Sequence, residues 1–228
     1  MVRHRFVFLL GSLILLFITA PIARLFHVED GPNFARHFFS AAFTATLLAS
    51  VLAVSKSRIT LILFGSLTAI VIILAVCFRD QFLVATHSAE ICLLGYTVIL
   101  IVRHLFTTDV VTLDTICASL CAFLLLGVLW AFAYSLVDVL VPGSFTGGTP
   151  MTVDESDSSV LYFSYVTLTT LGYGDISPVK DPARTLAFLE AVTGQLYLVV
   201  LVARLVGLHI AHKTVQRMDG EKNSGVSQ

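Results

Sequence analysis

The stretch Val166–Pro178, VTLTTLGYGDISP, sets two glycines, a tyrosine and a bare aspartate between long apolar runs. Glycine costs entropy in regular structure, and an unpaired carboxylate is expensive in lipid. Non-helical backbone survives at membrane depth only where it is buried in protein or lines water. A Gly-Tyr-Gly run behind a short apolar segment therefore reads as a deliberate length of extended chain with exposed carbonyls. That is the chemistry of main-chain oxygen dipoles, not of acids, bases or nucleophiles. The remaining candidates are sparse. His87 and Glu90 stand three apart, on one face of a helix, and are either a proton-sensitive pair or a structural hydrogen bond. Glu190 lies within the last apolar run, as a hydrogen-bonded or protonated brace or as a residue of a wet cavity. Cys77, Cys92, Cys117 and Cys121 all sit in apolar segments, without zinc or disulfide spacing. No nucleophile elbow, phosphate-cradling loop or His–carboxylate cluster occurs at a recognisable spacing, which argues against an enzyme.

The elements that position these residues are membrane elements. Of 228 residues, 57% are hydrophobic and only 13% charged, far below the roughly 25% of a soluble domain. The net charge of −1 and the lack of a basic run give no sign of a nucleic-acid partner. A crossing helix needs about 20 apolar residues. Candidate spans are Phe6–Leu25, Phe38–Val54, Ile59–Phe78, Phe82–Val102, Ile116–Val141 and Thr185–Ile210. Val160–Leu171 is apolar but too short to cross, and fits a re-entrant helix between the fifth and sixth spans. The N-terminus resembles a signal peptide in its basic start. Pro21 after the small residues, and the apolar run that resumes through Phe26, predict a retained helix instead.

Charge placement orients the chain. Arg3, Arg5, Lys56, Arg58, Arg103, Arg204, Lys213, Arg217 and Lys222 fall on one side; Arg24, Arg36, Arg79, Lys180 and Arg184 fall on the other. The larger set predicts cytoplasmic N- and C-termini. The re-entrant segment is then outside, beside the acidic Asp154, Glu155 and Asp157, which either raise local cation concentration or form a solvated loop. Arg103–Thr115 is expected to run along the inner membrane surface, with Asp114 capping the fifth span.

Within this frame, Thr167–Asp175 (TLTTLGYGD) resembles the selectivity-filter signature of the tetrameric potassium-channel family. Five features flank its Gly-Tyr-Gly run: the short helix with Asp157 and Ser158 available as caps, the bracketing spans, Thr169–Thr170 before the run, Asp175 after it, and Gly194, 22 residues past Gly172, where the family commonly has a hinge glycine. The resemblance covers roughly 109–212. It implies an all-α membrane protein of six transmembrane helices, with a re-entrant pore helix and an extended filter between the fifth and sixth. It further implies a homotetramer in the plasma membrane. The division is then 1–107 for four peripheral helices, 108–212 for the pore domain and 213–228 for a short cytoplasmic tail.

The family's chemistry maps residue by residue. Carbonyls of Thr170, Leu171, Gly172 and Tyr173 would hold K+, with the Thr170 hydroxyl closing the innermost site. Gly172 and Gly174 would take positive φ, Tyr173 would point outward into a supporting cuff, and Asp175 would sit at the mouth. Leu171 replaces the usual valine, and Tyr162 and Phe163 replace pore-helix tryptophans, so Tyr162 is the candidate donor to Asp175. Glu190 is a further filter support, and Gly194 is either a gating hinge or a packing residue. The implied partners are K+, the bilayer and three further copies, with no cofactor besides the bound ions. The fourth span holds no Arg or Lys before Arg103, which predicts a channel without conventional voltage gating. The competing readings are a potassium transporter subunit, disfavoured by the single complete signature, and a non-conducting membrane protein that modifies a partner channel.

Overall fold

The computed structural model describes residues 5–25, 83–108, 111–147 and 159–225, with isolated helical positions between 46 and 69. The described elements are α1 (Arg5–Leu25), α2 (Leu83–Thr107), α3 (Leu113–Leu140), β1 (Phe145–Thr146), α4 (Ser159–Leu168), β2 (Ser177–Pro178) and α5 (Asp181–Gly225). Among the described residues three stretches are long and apolar enough to cross a membrane: His87–Thr107, Leu113–Leu140 and Asp181–Leu208. Phe6–Ile18 and Ser159–Leu168 are shorter apolar helices. Apart from those isolated positions the second and third spans lie outside the described residues, as do the acidic cluster at 154–157 and the cap at Ser158.

Helix α3 is the hub, touching α1, α2, α4 and α5. Its buried stripe carries Ala118, Cys121, Ala122, Gly127 and Ala131, so neighbouring backbones come close without a strong hydrophobic drive between helices in lipid. Phe6, Leu9 and Leu13 of α1 and Leu93, Leu94 and Ile101 of α2 close the core over it. Cys117 and Cys121 are buried, and Cys121 Sγ lies 3.5 Å from Phe6 O, as a small packing residue would.

Three expectations are corrected. Arg103–Thr115 is not a separate segment: its first residues are the end of α2, which continues to Thr107, and α3 begins at Leu113. The N-cap of α3 is Thr112 rather than Asp114. Thr112 Oγ1 accepts from Thr115 N (3.2 Å) and Thr112 N donates to Thr115 Oγ1 (3.4 Å), a reciprocal capping box. Asp114 accepts instead from Phe6 N at 3.3 Å, tying α1 to the start of α3. Finally, α5 begins at Asp181, before the apolar window, because an acidic residue and a proline suit a first helical turn. It runs unbroken for 45 residues to Gly225, so that residues 213–225 continue it as helix.

A two-residue antiparallel ladder joins the loop after α3 to the chain leaving the Gly-Tyr-Gly segment, pairing Phe145 with Pro178 and Thr146 with Ser177. Val179 N donates to Ser144 O (2.9 Å), Ser144 N to Asp138 Oδ1 (3.1 Å) and Lys180 Nζ to Pro142 O (2.7 Å). Behind it Phe145, Tyr134 and Phe163 pack edge to face, with centroids 4.9–5.7 Å apart. Sequence periodicity gives no sign of so short a ladder.

Candidate functional site

The site grows from the way α4 ends. Thr170 N donates to Thr167 O (2.9 Å) and Leu171 N to Val166 O (2.9 Å), which is the bond pair of a Schellman cap. Such a cap puts its C′ residue in the left-handed region, normally a glycine. Here it is Thr170, at φ +57°. A β-branched residue there costs on the order of 1–3 kcal/mol and persists only when its surroundings hold it. Gly172 N also turns back to Val166 O (3.3 Å), and Gln195 Nε2 of α5 reaches Thr170 Oγ1 at 3.2 Å.

Positive φ then recurs at every second residue: Thr170 at +57°, Gly172 at +61° and Gly174 at +79°, with Leu171 and Tyr173 on the negative side. Thr169–Asp175 is exposed throughout in the single chain, Leu171 and Tyr173 to 56% and 67%. Among the described residues no donor reaches the carbonyl oxygens of Thr170, Leu171, Gly172 or Tyr173. Four consecutive acceptors without donors, between helices apolar enough to cross a membrane, form an oxygen-rich strip open to a hard cation.

Both ends of the strip are fastened. At the far end Tyr162 Oη donates to Asp175 Oδ2 at 2.7 Å, and Ser177 Oγ to Gly174 O at 3.3 Å. Gly147 (φ +91°) presses against this end so closely that an added Cβ would stand 1.8 Å from Asp175 O. At the near end Gly194 of α5 lies against the last turn of α4, where a Cβ would meet Leu168 O at 2.2 Å. That contact gives Gly194 a packing reason to be glycine.

Glu190, one turn earlier on α5, is fully buried. Tyr134 Oη of α3 donates to its Oε2, and its Oε1 lies 2.5 Å from Ser164 Oγ of α4. Ser164 Oγ is also 2.7 Å from Gly127 O, and the neighbouring Tyr165 Oη donates to Leu124 O. The structure thus gathers Thr170–Asp175, Tyr162, Glu190 and Gly194 around α4. His87 and Glu90 pair at 3.0 Å on α2, against Phe132 of α3, and take no part in this gathering. Gln195, Ser164, Tyr134 and Gly147 belong to the site but were not anticipated. A lone amide in an apolar span was the available signal for Gln195.

Residues 120–209 match the model of a family described as "Ion channel", a range that takes in most of α3, all of α4, the carbonyl strip and the apolar part of α5 but less than half of the chain. No curated protein and no solved structure matches the chain. The match and the apolar helices together support an ion channel in a membrane.

Proposed function

We propose that the chain is one subunit of a homotetrameric, potassium-selective channel, with Thr170–Gly174 as its filter and α4 as its re-entrant pore helix. The observation that carries this reading is the alternating sign of φ along a strip whose carbonyls have no donor among the described residues. In an ordinary strand, successive carbonyls point to opposite sides. A chain whose backbone alternates between left- and right-handed conformations can turn them the same way. Four such strips around an axis would replace the water that a potassium ion sheds, and the Thr170 hydroxyl would complete the innermost cage.

Several further features support the reading. One strip cannot surround an ion, and both the strip and the outer face of α5 are exposed in the single chain: Phe188, Leu196, Val199 and Val206 are each more than half accessible. Other copies would cover them. The C-terminal end of α4, with its negative helix-dipole end, would face the cavity beneath the filter and favour a cation there. Helix α2 carries its only arginine, Arg103, near its end, so steep conventional voltage sensing is not expected.

Purified protein in planar bilayers tests the proposal through reversal potentials in opposed potassium and sodium gradients. The expected reversal lies near the potassium equilibrium potential. A reversal midway between the two would defeat selectivity, and flux requiring coupled sodium would favour a transporter.

A further inference from the structure

Ser164 presents a proton-counting problem. Its hydroxyl stands 2.7 Å from Gly127 O and 2.5 Å from Glu190 Oε1. It owns one proton, and a backbone carbonyl can only accept. If Glu190 were a carboxylate, Ser164 could satisfy one contact and would be left with oxygen facing oxygen in the other. Both contacts become hydrogen bonds when Glu190 keeps its own proton. The acid then donates from Oε1 to Ser164, Ser164 donates to Gly127 O, and Tyr134 donates to Oε2.

The surroundings agree with this count. Glu190 has no accessible surface, and among the described residues no Lys or Arg pairs with it. The groups facing it are Tyr134 from α3, with Ser164 and Tyr165 from α4. A lone buried carboxylate at membrane depth would be costly, whereas a neutral acid with two filled contacts is not.

We propose that Glu190 is a neutral carboxylic acid acting as a hydrogen-bond donor, and that its proton is the linchpin joining α3, α4 and α5 behind the strip. It is a positioning residue. Its proton fixes Ser164, Ser164 fixes the middle of α4 against Gly127, and the end of α4 carries the Thr170 cap. The chemistry of the tie stands on geometry alone; its influence on ion flow rests on the filter reading above.

Infrared spectra of the full-length protein in lipid vesicles at neutral pH test the chemistry directly. The wild-type minus Glu190→Gln difference should contain the carbonyl band of a protonated, hydrogen-bonded acid, and a carboxylate doublet in its place would overturn the proposal. Glutamine retains an N–H donor and a carbonyl acceptor, so Glu190→Gln should keep near-wild-type thermal stability and sustained current. Glu190→Ala and Ser164→Ala each remove two of the buried hydrogen bonds and should each hasten current decay by at least about tenfold. A glutamine variant as impaired as the alanine variant would overturn the donor role. If wild-type protein conducts nothing, the channel reading falls, while the infrared band and melting of the variants still decide the state of Glu190.

Discussion

Thr170 stores backbone strain at the point where a helix hands over to a row of oxygens. Glycine would adopt φ +57° with less cost, but it would lose the hydroxyl that Gln195 holds and that the filter reading needs. At the other end of the row, a single phenol oxygen keeps Asp175 in place. Tyr162→Phe removes that bond and leaves the ring, so folding should survive while the mouth loosens. We expect currents that decay about three- to tenfold faster, on the scale of one partly exposed hydrogen bond of roughly 1 kcal/mol. Unchanged decay in single-channel or macroscopic recordings would remove Tyr162 from the support of the filter. Much at this scale was readable beforehand, because Thr170–Asp175 combines residue types that lipid-facing helices avoid. The partners of those residues were not readable. Tyr134 and Glu190 lie 56 positions apart, and only the crossing of α3 with α5 brings them together.

At the scale of elements, α4 is too short to fold on its own merits and is held by what surrounds it. Tyr165 and Ser164 anchor it to α3 carbonyls, Phe163 wedges it against Tyr134 and Phe145, and Gly194 lets α5 reach its last turn. Gly194→Ala should therefore act first through packing. A Cβ 2.2 Å from Leu168 O forces the helices apart, at a cost of about 1–3 kcal/mol, and lowers the melting temperature in detergent. Full stability with altered open probability would instead favour a hinge. Hydropathy located these helices because a membrane demands long apolar runs, but it misjudged their ends. Asp181, Pro182 and Arg184 lower the apolar score of a first turn that is helical, and an acidic residue at 114 masks the cap that Thr112 and Thr115 make between them. The collar of β1 and β2 escaped for another reason: two residues per strand leave no period to detect.

For the molecule as a whole, the described helices form a bundle in which α3 packs against each of the other four, whereas the apolar part of α5 is largely unclothed. Such asymmetry suits a chain that completes itself with copies. It also bears on gating. A conventional sensor moves several charges per subunit, each contributing about 2.3 kcal/mol per 100 mV. The α2 helix has one arginine, close to its end. Open probability in steady-state recordings should therefore vary with a steepness below one elementary charge per subunit, and a slope of several charges would contradict that expectation.

The length of α5 has a mechanical consequence. Forty-five residues extend about 68 Å, more than twice the thickness of the hydrocarbon layer, so a long rod stands clear of the bilayer. From the contact at Gly194 to Gly225 is about 46 Å of that rod. A tilt of about 10° at the pivot would swing the free end through roughly 8 Å. Leverage runs both ways: a small sideways force applied far out in water would arrive, multiplied, at the very turn on which Thr170 is balanced.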